Sequence, residues 1–279
     1  MKICNQIIIL SIFSIILSNE NPLDQTLGRD KDPKVVEDLS KVQLFMRKAK
    51  WATINLFGSR FIARLVFPKE TISYFDIDDK VVAFTVDDGF CGVDNIQGDM
   101  TEDVRKLFKK YDARATFFTS GSHCNNTSKN HIINLLEDGH ELANHGMYDW
   151  PYNKYTKEQF LNDFNQTTEN LKIYVDDIPK YYRAPHAKIS NEMIEVLDKK
   201  GYKHIMCAAY AADTEVPDPV WISNMILKNI KPGSIVLIHM PEKGVREWNY
   251  KAMELTLKGL KDLGYKIETF SYLYELSQL

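Results

Sequence analysis

The chain has 279 residues and a formal net charge of −3. With no block of Lys and Arg, that balance excludes nucleic acid as an expected partner. The length suits a single α/β barrel.

Met1-Lys2 and the apolar run Ile7–Leu17 read as a secretory signal over residues 1–18. The run is short for a bilayer span, and Ser18 offers a small residue for cleavage. An uncleaved anchor is the alternative. No later segment is apolar enough to span a membrane. Export places the protein outside the cell, at the wall or surface. Cleavage removes Cys4 and leaves Cys91, Cys124 and Cys207, enough for one disulfide and one leftover thiol. Cys91 and Cys124 each follow a predicted strand on the same side of the sheet and are the preferred pair. Asn125-Asn126-Thr127, Asn126-Thr127-Ser128 and Asn165-Gln166-Thr167 are glycosylation acceptors on an exported chain.

Residues 19–79 read as an extension packed on the main domain. Asp32-Pro33 starts an amphipathic helix running to about Lys50, and the apolar stretch from Trp51 to Phe67 fits helix or strand. From Lys80 to the C-terminus, strands and helices alternate. The strands are 80–86, 115–119, 140–144, 181–183, 203–208, 234–239 and 266–269. The helices between and after them are 101–111, 128–138, 156–174, 190–200, 219–230, 246–263 and 270–279. Thr156 with Gln159 forms a capping-box pattern, and Gly201 marks a helix end. Such alternation implies parallel strands with crossover helices, in an open doubly wound sheet or a barrel. The glycine-rich nucleotide-binding patterns are missing, so the barrel is preferred.

A parallel barrel carries its site at the carboxyl ends of its strands. The residues there are Asp87 and Asp88, then His145 and Asp149, Arg183 and His186, Tyr210 and Asp213, and finally His239. Singly, each has a bland reading: Asp-Gly is a common turn pair, and a lone strand-end His is more often structural. Polar, metal-competent groups after five strands of one barrel point instead to metal-assisted hydrolysis. A carboxylate there takes a proton from water, an Arg keeps it ionised, and a His backed by an Asp protonates a leaving group.

These residues resemble the polysaccharide deacetylases, carbohydrate esterase family four, also called the NodB-homology domain. The resemblance runs from about Lys80 to the C-terminus. It rests on Thr85-Val86-Asp87-Asp88-Gly89, Asn144-His145, Arg183-Ala184-Pro185-His186, Asp213 and Leu237-Ile238-His239. It implies a distorted (β/α) barrel of about seven strands. Asp87 would be the catalytic base, and Asp88, His145 and Asp149 the ligands of a divalent metal, Zn foremost. Arg183 would steady the base, and its loop would help form the oxyanion hole. His239 would be the general acid, supported by Asp213. Leu237 would line the acetyl pocket, with His186 and Tyr210 near the substrate. The implied partner is an acetylated, chitin-like polysaccharide, met by a monomer with no membrane contact beyond the signal segment.

Three positions depart from the family pattern. Asp149 stands where the second metal-binding His is expected, Gly146 where Thr or Ser is usual, and no Trp lies between Ala208 and Pro219. A second carboxylate adds negative charge, lowers the Lewis acidity of a bound ion and favours harder ions. A catalytically inactive, carbohydrate-binding relative with a cell-wall role is therefore the alternative. A third reading takes Asp76 and Asp78 as the Asp-x-Asp of a dehalogenase-like phosphohydrolase. It leaves the other strand-end residues without a role.

Overall fold

A computed structural model describes residues 39–56 and 58–279. The expected signal segment and the helix start at Asp32-Pro33 lie outside them. α1 (Lys41–Asn55) begins at Ser40, whose hydroxyl accepts from the Gln43 amide while the Gln43 side chain caps Ser40 in return. The ambiguous stretch after Trp51 is the end of α1 followed by α2 (Ser59–Val66).

β1 (Val81–Gly89) is buried at every residue and holds the centre of the sheet. It is followed by α3 (Thr101–Lys110), β2 (Thr116–Thr119), α4 (Lys129–Glu137), β3 (Glu141–Asn144) and α5 (Lys157–Lys172). Then come β4 (Tyr181–Tyr182), α6 (Asn191–Lys200), β5 (Lys203–His204), α7 (Pro219–Asn229), β6 (Ile235–His239), α8 (Trp248–Asp262), β7 (Lys266–Glu268) and α9 (Phe270–Leu276). All seven strands pair in parallel, in the order β5-β4-β3-β2-β1-β6, with β7 also on β1. A parallel bridge from Ala209 to Val236 brings the chain beyond β5 back to β6. The sheet thus curls into a half-barrel with helices around it, a distorted α/β barrel as expected.

The fifth strand is shorter than the apolar run 203–208 suggests. Only Lys203 and His204 pair with β4, because the chain then turns across the barrel toward β6. The Cys91–Cys124 disulfide does not form. Cys124 is a free, buried thiol packed in the core, where burial pushes its pKa up to about 12. Its side chain serves as a small hydrophobe.

Strand alternation decides what faces the barrel interior. Val82, Phe84 and Val86 pack outward with Val104, Phe108 and Leu257 from the helix layer. Val81 and Ala83 pack inward with Phe118, Ala143, Ile205 and Leu237. Asp87 shares the inward parity. Asp88 would follow Val86 toward the helices, but β1 bulges there: Asp87 pairs with Phe118 and Gly89 with Thr119, and Asp88 adopts a left-handed φ of 56°. A bulge re-aims one side chain.

The extension joins the barrel at its amino-terminal end. Gly233 has φ 77°, its carbonyl accepts from the Phe75 amide at 2.9 Å, and its amide donates to Val81 at 2.8 Å. A Cβ at Gly233 would lie 2.1 Å from the Phe75 carbonyl oxygen. Gly233→Ala is therefore expected to destabilise the fold by about 3 kcal/mol. The measurement is a urea titration, in which the midpoint falls at unchanged slope.

Candidate active site

Asp87 and Arg183 form a buried ion pair inside the barrel. Arg183 follows β4 and is fully buried. Its Nη1 donates to Asp87 Oδ1 at 2.5 Å and to Thr85 Oγ1 at 2.8 Å. Nε and Nη2 donate to the carbonyls of Ile205 and Met206 at 3.2 and 3.3 Å. The guanidinium also stacks 3.9 Å over the Phe118 ring. A buried cation in a half-barrel needs this many acceptors to offset its lost hydration.

The second carboxylate belongs to a different cluster. Single ligand atoms of Asp88, His145 and Asp149 all lie within 4.8 Å of one another. His145 Nδ1 sits 2.8 Å from the Arg183 carbonyl oxygen, which only accepts, so Nδ1 carries the hydrogen. Its Nε2 then faces Asp88 Oδ1 at 3.5 Å and Asp87 Oδ2 at 3.9 Å. Asp88 Oδ1 is buried and accepts no hydrogen bond. A carboxylate oxygen without a donor, facing an imidazole nitrogen in a buried site, fits a cation. Burial opposes charge on His145, but Asp87 and Asp88 outweigh it and raise its pKa, so a cation entering here displaces a proton.

Asp149 sits at the rim, its carboxylate 3.4 Å from His186 Nε2, so His186 touches the cluster through Asp149. Gly146 is explained by its neighbours. Its φ is 82°, and a Cβ there would meet the Tyr152 ring at 2.6 Å. The Tyr152 hydroxyl accepts from the Tyr148 amide at 2.9 Å and shapes the loop that delivers Asp149.

The third group is a His–Asp dyad. His239 ends β6, and its Nδ1 lies 3.0 Å from Asp213 Oδ1. Asp213 is fully buried, and its Oδ2 accepts from the His239 amide and from Asn249 Nδ2, both at 2.7 Å. Trp248 Nε1 donates to the Asp213 carbonyl at 2.8 Å. The Trp missing near Asp213 in sequence is thus met in space by one from α8. Burial works against a charged His239, but its pair with Asp213 outweighs that, with help from Asp88, and raises the pKa to about 9. Tyr210 lies against His239, ring centroids 6.2 Å apart. Leu237 is buried in the interior cluster with Phe118 and Ile205, and Tyr210 packs on it.

Arg246 escapes a reading by strand ends. It lies in the loop after β6, with φ 53°, and its Nη1 donates to Asp88 Oδ2 at 2.9 Å. Burial disfavours an isolated charge on Asp88, yet Arg246 and His145 hold its carboxyl well below the usual range. Asp76 stays outside the site, where it pairs with Arg60 at 2.7 Å and Arg64 at 3.4 Å. The dehalogenase-like reading therefore has no constellation behind it.

The chain is similar to several known proteins. The family model described as polysaccharide deacetylase matches residues 76–205. Over that stretch, just under half of its length, the chain is similar to the polysaccharide deacetylase family. The peptidoglycan-N-acetylglucosamine deacetylase of Bacillus cereus is 28% identical over 200 residues, covering 70% of this chain and 89% of that one. A bifunctional xylanase/deacetylase of Pseudobutyrivibrio xylanivorans is 26% identical over 197 residues, 71% of this chain but 31% of that longer protein. The fold also matches a family-four pseudoenzyme from Bacillus anthracis, with TM-score 0.63 and 19% identity over 74% of this chain and 69% of that one. Asp213, His239 and Arg246 lie beyond the matched residues of the deacetylase model.

Two outcomes follow from the buried charges. Arg183→Leu leaves Asp87 buried without its partner and is expected to cost about 3–5 kcal/mol of stability, with Asp87→Asn in the same chain recovering part of it. Paired denaturant titrations check this. For His239 the folded pKa lies above its ordinary 6.5, so its pair with Asp213 stabilises fully below about pH 6.5 and is lost as pH rises through about 9. NMR titration should find His239 charged at neutral pH in the wild type and neutral there in Asp213→Asn.

Proposed function

We propose that this protein is a secreted, metal-dependent deacetylase that removes acetyl groups from an N-acetylglucosamine polymer such as chitin. The observation that carries the reading is the buried Asp88 Oδ1 facing His145 Nε2, with Asp149 alongside and Asp87 adjacent. Asp88, His145 and Asp149 would hold the ion, with Zn the expected metal. A divalent ion held there polarises the acetyl carbonyl and acidifies water.

The chain's own residues divide the proton transfers. Asp87 takes the proton from the attacking water at Oδ2, while Oδ1 stays bonded to Arg183. Arg183 pairs with that carboxylate and orients it. His239 begins as the imidazolium and gives its proton to the departing sugar amine. Asp213 holds the His239 tautomer and steadies its charge through Nδ1. Leu237 and Tyr210 present apolar surface for the acetyl methyl beside His239. Export is supported by the sequence of residues 1–18 and by relatives named for peptidoglycan, a wall polymer. No helix among the described residues is long and apolar enough to cross a membrane.

A second reading is a glycan-binding protein without turnover. Asp149 in place of a His favours it, and a pseudoenzyme shares the fold. Metal analysis joined to an acetate-release assay on chitin oligomers and on peptidoglycan separates the two. The deacetylase is expected to carry one divalent ion, to lose acetate release with chelator and to regain it with metal. Asp87→Asn should keep the ion and lose about 10²–10⁴-fold in kcat/KM. Glycan binding with neither bound metal nor acetate release, whichever divalent ion is added, selects the second reading.

A further inference from the structure

The barrel's strand ends do not supply all the surface beside His239. α1 comes from the extension, outside the residues matched by the deacetylase model, and it lies against the loop between β5 and α7. Three polar contacts fasten it there. Arg47 Nη1 donates to the Glu215 carbonyl at 2.7 Å, Trp51 Nε1 donates to Glu215 Oε2 at 3.4 Å, and Lys48 pairs with Asp218. The same loop carries Asp213.

These contacts set Trp51 beside the dyad. The Trp51 ring meets Tyr210 at 5.5 Å and 86°, and Tyr210 meets His239 at 6.2 Å and 65°. Trp51, Tyr210 and His239 are all only partly buried, whereas most ring contacts of the barrel involve a buried aromatic of the core. A line of partly buried rings therefore runs from the proton donor outward onto α1. Pyranose rings present flat faces of C–H groups, which pack on aromatic rings, while their hydroxyls need polar partners at the rim. Glu215 and Asp218, tethered under the same helix, supply carboxylates at that rim.

We propose that Trp51, with Tyr210, is a sugar-binding platform that the N-terminal extension adds to the barrel. It takes a neighbouring N-acetylated pyranose of the glycan whose acetyl group is held near His239. The proposal rests on the deacetylase reading for its substrate class. Trp51 acts on which glycans bind, by chain length, and takes no part in proton transfer.

The test is calorimetric binding of N-acetylglucosamine dimers and pentamers to the full, metal-supplemented chain in an Asp87→Asn background, which halts turnover. Acetate release is measured separately with Asp87 intact. Trp51→Ala is expected to weaken pentamer binding about tenfold, leave the dimer unchanged, and regain most of the loss as Trp51→Phe. Equal pentamer affinity in wild type and Trp51→Ala overturns the platform, even where acetate release proceeds. An equal loss for dimer and pentamer also overturns it, because it assigns Trp51 to holding the Asp213 loop. A wild-type chain that binds no oligomer and releases no acetate overturns the deacetylase reading and the platform with it.

Discussion

The site depends on one buried residue, Arg183. Its guanidinium reaches across the barrel from β4 to β1 and bonds Asp87 and Thr85. Its own carbonyl accepts from His145 Nδ1 and so fixes which imidazole nitrogen faces Asp88. The proposed base and the candidate metal site are therefore oriented by the same residue, through side chain and backbone respectively. Hydrogen bonds to the Ile205 and Met206 carbonyls extend the tie to the chain leaving β5. Beyond His204 that region no longer pairs with β4 and is held by isolated bridges from Ile205 to Ile72 and from Ala209 to Val236. A guanidinium with fixed planar donors can bind all these acceptors at once, which an ammonium cannot.

Two neighbouring carboxylates on one strand would ordinarily point to opposite faces. The bulge at Asp88 removes that constraint and turns both toward the same end of the barrel. The left-handed backbone at Asp88 is unfavourable for a non-glycine residue. It is held by contacts on both sides: the Asp88 carbonyl lies 3.0 Å from His123 Nδ1, and the carboxylate is bound by Arg246. The result is a division of labour between adjacent residues. Asp87 pairs with Arg183 inside the barrel, and Asp88 pairs with Arg246 and faces His145.

Much of this was legible because strand ends converge in a parallel barrel. Asp87, Asp88, His145, Arg183, Asp213 and His239 announced themselves by position after apolar runs, and the structure brings them together. Local signals held too: Thr156 caps α5 with Gln159, and Gly201 ends α6 in a left-handed conformation. What stayed hidden depended on distant contacts. Arg246 meets Asp88 across 158 residues of sequence, and nothing in Gly244-Val245-Arg246 signals a partner. Trp51 sits in an amphipathic helix, where an aromatic reads as packing. The end of β5 looked like continuous strand because Ile205, Met206, Cys207 and Ala208 are apolar. They are buried against the barrel without extending the pairing with β4. The disulfide inference failed because shared sheet side does not bring two side chains into bonding geometry.

Asp149 is one of the positions where the chain departs from the pattern it resembles, and Arg246 bears directly on it. Replacing a neutral imidazole with a carboxylate adds one negative charge to the cluster of Asp88, His145 and Asp149. Arg246 contributes one positive charge at 2.9 Å from Asp88 Oδ2 and is itself favoured in its charged form by Asp88, Glu242 and Asp149, against the cost of burial. The formal charge around the site thereby returns to that of an Asp–His–His set. The guanidinium bonds Asp88 through Oδ2, while Oδ1 faces His145. Glu242 is in turn held by the Gly92 amide and Asn95, which anchors the loop that brings Arg246 in. Asp149 and Arg246 are thus electrostatically linked, and the effect of either on a bound cation includes the charge of the other.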